Sequence, residues 1–246
     1  MKKQLRPFEI GSGTYVIRQG FVWVVSSFST FRPDEGHVSE DHVVLAHTPR
    51  LTAGYRDSGC RACTLPTTAW FEPSDHGVLV RIHSECLLSE VFGFEMCDCR
   101  EQLTEAMNTI TAEGSGVVIY MRQEGRGIGL AAKLRTLNSD DSLDTYQRNV
   151  GAGYPEDGRR FDAAAEALGY LNITEIRLIS DSPLKMAALS NCGIHISERV
   201  GLQYPVTPEA ARELLAKKRR GYHIQHTEEV LVAMAGPMNH DGNAGR

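Results

Sequence analysis

Gly77-Val78-Leu79-Val80-Arg81-Ile82-His83-Ser84-Glu85-Cys86 is followed, after a short intervening segment, by Cys97-Asp98-Cys99-Arg100-Glu101-Gln102-Leu103. The apolar, β-branched run from Gly77 to Ile82 reads as a central strand that delivers Arg81, His83 and Glu85 to its end. From Asp98 the period becomes helical, with Leu103, Ala106, Met107 and Ile110 at i, i+3, i+4 and i+7, until Gly114 and Gly116 end it. Asp98 is expected to cap this helix, which would put Cys97 and Cys99 at its N-terminus, where the dipole favours a thiolate.

Cysteines this close in sequence usually meet at a soft or borderline metal, and zinc is the default. Cys86, Cys97 and Cys99 supply three ligands. A structural zinc is closed by four protein ligands, whereas a catalytic zinc keeps a position open for water. A closed site with Cys60 or Cys63 as the fourth ligand, a disulfide, and plain core packing are the competing readings. The pair Cys60-Arg61-Ala62-Cys63 is by itself open to a second metal site, a redox role or no function.

Working outward, residues 1–76 read as a β-rich segment with a loop insertion. Gly13 to Arg18 and Phe21 to Phe28, broken by Gln19-Gly20, suggest a hairpin. Val43 to Ala46 is a third strand, and 47–76 is punctuated by Pro49, Gly54, Gly59, Pro66 and Pro73. Beyond the quoted stretch, Val117 to Tyr120 is a buried strand running into Arg122-Gln123-Glu124-Gly125-Arg126-Gly127-Ile128-Gly129-Leu130. That loop has the glycines and arginines to approach an anion through its backbone, and a helix follows through Leu137. Residues 138–158 read as an ordered loop over a site, with Phe161 to Leu171 helical.

Glu175 to Ser180 is a strand, and Ser182-Pro183 opens a helix that Gly193 closes. Ser180, Ser182 and Lys185 thereby surround a helix N-terminus, a second candidate anion site. His195 to Val200 is a last strand, and Thr207-Pro208-Glu209 opens a helix whose end, Lys217-Lys218-Arg219-Arg220, reads as solvated. The tail 235–246 reads as disordered. Together these give an α/β fold, a mixed sheet flanked by helices with an N-terminal β-rich portion over 1–76 and a second domain over 77–234 that carries the candidate site.

The chain has 246 residues, 41% hydrophobic and 23% charged, which suits a globular protein with a sizeable core. Its net charge of −5 recruits no nucleic acid, so cations for an anionic substrate must be gathered locally. No apolar run approaches a membrane span and the start lacks a signal-peptide core, so reduced thiols and a cytoplasmic location are expected.

The order of these pieces resembles GTP cyclohydrolase II, over roughly Gly77 to Gly221. The motifs are Arg-Ile-His-Ser-Glu-Cys at 81–86, Cys-Asp-Cys at 97–99 with Gln102, Arg-Gln-Glu-Gly-Arg at 122–126, Ile-Gly-Leu at 128–130, Asp144-Thr145, and Arg159 before Phe161. The resemblance implies zinc on Cys86, Cys97 and Cys99, and magnesium with the triphosphate of GTP. It implies nucleotide contacts from Arg81, His83, Ser84, Glu85, Gln102, Glu124, Gly125, Arg126, Thr145, Ser180 and Lys185. It further implies Asp157 as proton acceptor, Arg159 acting on the phosphates, and a homodimer. Glu85 is also typed for proton transfer, and Glu124 and Gln102 for the guanine edge.

The implied reaction opens the imidazole ring of GTP at C8 and releases formate and pyrophosphate. Leu137 stands where the family carries tyrosine, Met96 where it carries arginine, Ser89-Glu90 in place of Gly-Asp, and Ser182 in place of asparagine. These departures raise two alternatives, a paralogue that stops at a formamidopyrimidine nucleotide and a guanine-nucleotide-binding protein without turnover. A zinc nucleobase deaminase would share His83-Ser84-Glu85 but needs Pro-Cys-x-x-Cys, where this chain has Met96-Cys97-Asp98-Cys99.

Overall fold

The structure, a computed structural model, describes residues 9–32, 38–72, 76–139 and 142–236. Seven strands form one mixed sheet: β1 Thr14–Arg18, β2 Phe21–Arg32, β3 Val38–His47, β4 Val78–Ser84, β5 Gly116–Met121, β6 Glu175–Ile179 and β7 His195–Val200. The spatial order is β1-β2-β3-β5-β4-β6-β7. From β1 to β5 neighbours run antiparallel, and from β5 to β7 they run parallel. The expected hairpin is present, with positive φ at both Gln19 and Gly20, the backbone of a tight two-residue turn that matches strand twist.

The helices are α1 Pro49–Ser58, α2 Leu87–Glu90, α3 Cys99–Glu113, α4 Leu130–Leu137, α5 Thr145–Gly151, α6 Asp162–Tyr170, α7 Pro183–Asn191, α8 Pro208–Lys218 and α9 Glu228–Ala235. Three of these correct the sequence reading. The segment 47–76, read as loop, contains α1, whose N-cap Thr48 accepts from the Leu51 amide and whose first helical residue is Pro49. The segment 138–158, also read as loop, contains α5, opened by a reciprocal capping box between Asp144 and Gln147. Helix α9 had no counterpart among the expected elements; Ala235, placed in the tail, is its last residue. Residues 237–246 of that tail lie outside the described residues.

Each face of the sheet has its own core. Val80 and Ile82 of β4 pair across to Val117 and Ile119 of β5 and pack with Ala164, Ala167 and Leu168 of α6. The alternate positions, Leu79 and Val118, pack with Ala106, Met107 and Ile110 of α3 and with Trp23. Period-two alternation along β4 therefore turns Arg81 and His83 to the α3 side, beyond Leu79. The chain leaves β4 toward β5 on one side and returns to β6 on the other. Open α/β sheets bind ligands at such a switch point, off the carboxyl ends of the strands.

Candidate active site

The carboxyl end of β4 gives the first ligand of a sulfur cluster. Cys86 sits at the N-cap of α2, Cys97 in the turn that follows, and Cys99 is the first residue of α3. Their Sγ atoms lie within 4.8 Å of one another, Cys86–Cys97 at 3.6 Å and Cys97–Cys99 at 3.3 Å. A tetrahedral zinc with bonds of about 2.3 Å spaces its sulfurs about 3.8 Å apart, so the cluster fits that ion. Among the described residues no fourth Cys, His, Asp or Glu joins the group, and Cys60 and Cys63 stand apart from it as free thiols.

Electrostatics point the same way. Bonds from Cys97 and Cys99, opposed by burial and aided by Lys133, hold the Cys86 thiol far below its usual value. The Lys133 ammonium stands 3.1 Å from that sulfur. The partnership with Cys86 pushes Cys97 up to about 11, and Cys86 and Cys97 together push Cys99 well above the ordinary thiol value. One thiolate is therefore favoured and three are not, until a cation sits among them.

Behind the sulfurs, Glu90 gathers three partners. It accepts from the Cys86 amide at 2.8 Å, from the Tyr120 hydroxyl at 2.6 Å, and meets His83 Nε2 at 2.8 Å. The other His83 nitrogen faces Arg81, 3.4 Å away, and the ring stacks on Tyr120. Burial, with Arg81 and Lys185 assisting and Glu90 opposing, brings His83 down to about 4. Arg81 donates to the Ile179 carbonyl and to Gln102 Oε1, while its buried Nε has no partner.

Asp98 does not cap α3. Its carboxylate accepts instead from Gln102 at 2.7 Å, Tyr204 at 2.6 Å and Lys217 at 3.2 Å. A buried carboxylate with these donors is worth more than one solvent-facing cap bond. Lys217 is thus a buried partner of the site, correcting the reading of 217–220 as a solvated run, although Arg219 does face solvent.

The glycine loop after β5 forms the opposite wall. Glu124 accepts from the Leu87 amide at 2.7 Å, from the Gly125 amide at 2.9 Å and from Lys133 at 2.7 Å, tying this loop to the residue after Cys86. Gly125 and Arg126 both have positive φ, a strained conformation for arginine. Arg126 is held there by Thr145 at 2.8 Å, by Glu213, and by the Tyr146 ring 3.5 Å beneath its guanidinium. Gly127, at φ +88°, could not carry a Cβ, which would meet the Gly158 backbone at 2.9 Å. That close approach, with the Gly158 amide bonded to the Arg126 carbonyl, sets Arg159 beside the loop.

Arg159 and Asp157 form a largely buried pair, Nε to Oδ1 at 2.9 Å and Nη2 to Oδ2 at 2.5 Å. Burial alone would raise the Asp157 carboxyl, but Arg159 outweighs it and keeps it below the ordinary carboxylate value. Tyr222 accepts from Arg159 at 2.9 Å. On the remaining side Ser182 caps α7, Ser180 accepts from the Ser182 amide, and Lys185 donates to the Ile82 carbonyl at 2.7 Å. Lys185 is buried without a carboxylate, and burial with Arg81 and Arg159 nearby pulls its pKa well below the usual lysine value.

These walls enclose a cavity of about 180 Å³. Every site residue named from sequence lines it except Asp157, which stands behind Arg159, and Glu85 reaches it from a rim pair with Arg122 at 2.7 Å. Gln102 has both amide hydrogens and its oxygen engaged by protein groups, so in this structure it orients Arg81. Sequence reading missed Lys133, Tyr146, Glu213 and Tyr222, and took Lys217 for surface. Glu213 and Lys217 at i, i+4 share one face of α8, a signal that marks a common face but not whether water covers it.

A GTP cyclohydrolase II family model matches residues 40–201. The chain is similar to GTP cyclohydrolase-2 of Picrophilus torridus, 44% identical over 148 residues, 60% of this chain and 77% of that protein. It is similar to riboflavin biosynthesis protein RibBA of Bacillus subtilis, 42% identical over 150 residues, 61% of this chain and 38% of that one. It also resembles a probable bifunctional riboflavin biosynthesis protein, RIBA 2, of Oryza sativa subsp. japonica, 43% identical over 150 residues, 60% of this chain and 27% of that one. The matched part thus spans little more than a third, or less, of these two longer relatives.

Proposed function

This chain belongs to the GTP cyclohydrolase II family, and from that premise we propose that it opens the imidazole ring of GTP at C8 and releases formate and pyrophosphate, a step of riboflavin biosynthesis. The carrying observation is the trio of sulfurs, with no fourth side-chain ligand among the described residues, on the wall of a cavity that also presents Arg81, Arg126, Arg159 and Lys185. Zinc held by Cys86, Cys97 and Cys99 would supply a Lewis acid that makes water nucleophilic near neutral pH.

The chain's own residues supply the rest. Lys185, Arg81, Arg126 and Arg159 bind the phosphates, with magnesium accompanying them, by charge-assisted bonds. Glu124 retains one free lone pair for the guanine edge, on Oε2, each oxygen of a carboxylate having two. Arg159, drawn onto a phosphate, loosens its grip on Asp157 and leaves that carboxylate able to accept a proton, which couples phosphate binding to base strength. Glu85 is the second candidate for proton transfer at the rim. The protein is expected to act as a homodimer in the cytoplasm; among the described residues no helix is long and apolar enough to cross a membrane.

A second reading rests on Leu137, which lines the cavity with a side chain unable to hold a water. In that reading ring opening stops at the formamidopyrimidine nucleotide. Incubation with GTP, zinc and magnesium, followed by mass spectrometry and formate assay, decides. Formate equal to GTP consumed supports the full reaction, a product retaining the formyl group supports the second, and tight GTP binding with no product leaves only a nucleotide-binding protein.

A further inference from the structure

The family match ends at residue 201, yet the segment after it closes the cavity. Helix α8 and α9 carry a small core of their own, Ala211, Leu214, Ile224, Leu231 and Ala235, separate from the two cores of the sheet. From this unit Glu213, 9% exposed, reaches into the site. One carboxylate oxygen accepts from Arg126 Nη2 and the other from Thr145 Oγ1 at 2.7 Å. Lys217 stands 3.9 Å away on the same helix face.

We infer that Glu213 is a resident anion, which a phosphate of the nucleotide displaces from Arg126 and Thr145, so that residue 213 sets the affinity for the polyphosphate chain. This rests on the reading of Arg126 and Thr145 as nucleotide ligands. A phosphate can accept from the same two donors, Arg126 Nη2 and Thr145 Oγ1, that the two Glu213 oxygens occupy, and the two anions compete for them. Arg126 is held in place by the Tyr146 ring, 3.5 Å from its guanidinium, a ring that Arg220 also contacts at 4.1 Å. With Arg126 also bonded to Thr145, Glu213 is the partner that gives way to a phosphate at these donors. While the site is empty, Glu213 offsets a buried arginine and stabilises a strained backbone. When polyphosphate enters, the like charges repel and the carboxylate yields.

The test measures binding of inorganic triphosphate and of guanosine to zinc-loaded protein by calorimetry, in wild type, E213Q and E213D. E213Q is expected to bind triphosphate about tenfold more tightly than wild type, with guanosine unchanged. E213D keeps the charge and is expected to stay near the wild-type value, while unchanged guanosine binding by E213Q shows that its site is folded. Equal or weaker triphosphate binding by E213Q, or a tenfold gain in E213D as well, would overturn the inference. Because the ligand is inorganic, a wild type that makes no product from GTP tells against the cyclohydrolase reading, while the binding comparison still decides this one.

Discussion

Glu90 is the residue through which the sulfur cluster is tied to the sheet, and its removal has a calculable cost. Its side chain is 8% exposed and accepts from the Cys86 amide, the Tyr120 hydroxyl and His83 Nε2. Glu90→Ala strands three donors, each costing about 1–3 kcal/mol if left without a partner. Water can reach the void from the adjoining cavity, which holds the sum near the lower end, about 4 kcal/mol. Against a total of about 5–15 kcal/mol that is a large loss, and for a chain of this size it lowers the melting temperature by about 10 °C. Trp23 and Trp70 are fully buried, so fluorescence during guanidinium unfolding reports the transition. Below the melting temperature, chelator competition is expected to show zinc held about 10–100-fold more weakly, as for other residues that orient a metal ligand. Glu90→Gln keeps the shape but sets an amide hydrogen against a donor, and falls between. A Glu90→Ala protein within about 1 kcal/mol of wild type, with unchanged zinc affinity, would refute the reasoning.

Three further outcomes are expected. His83, brought down to about 4 in the fold from an ordinary value of 6.5, leaves the unfolded chain holding more protons between those limits; stability therefore rises with pH from about 4 to about 6.5 and is flat above, a span of about 3 kcal/mol that His83→Gln should flatten in urea titrations. Lys185→Met removes a buried cation that has no carboxylate partner, so it is expected to raise stability by about 1 kcal/mol while weakening GTP binding; lower stability with unchanged binding would contradict that. Cys97→Ser is expected to abolish zinc binding measured by elemental analysis while the far-ultraviolet circular dichroism stays close to wild type, because both cores of the sheet lie away from the sulfurs.

What the sequence made legible was local. The strand at 78–84 and the helix after Asp98 follow from periodicity, and the sulfur cluster from spacing, because each depends on neighbours within one or two turns. The hairpin at Gln19-Gly20 is of the same kind. Helices α1 and α5 were missed although their start signals are equally local: Thr48-Pro49 and Asp144 with Gln147. In both, glycine and proline punctuation outweighed a short helix whose apolar face is too small to show a period. Asp98 was misread for the opposite reason. Its spacing is right for a cap, but Tyr204 and Lys217 come from over a hundred residues away and win the carboxylate. The position of Lys217 could not follow from composition, since a basic helix end looks alike whether it meets water or a buried aspartate.

The charge balance of the cavity carries the functional reading further than the sulfurs alone. Arg159 is matched by Asp157, Arg126 by Glu213, Lys217 by Asp98 and Lys133 by Glu124. Each of those pairs offsets the cost of burying a cation, and each must be loosened or shared before its cation can take a phosphate. Arg81 and Lys185 differ. Their hydrogen bonds go to neutral groups, the oxygens of Ile179, Gln102 and Ile82 and the His83 ring, and Arg81 Nε has no partner. Two buried, unmatched cations on adjacent elements are a standing cost to the empty fold and a ready gain to any anion that reaches them. On the proposed reading, a phosphate would meet Arg81 and Lys185 without a competing carboxylate, but would contest Arg126 with Glu213 and Arg159 with Asp157. If Asp157 is the base, its pairing with Arg159 would tie its release to the arrival of a phosphate at that arginine.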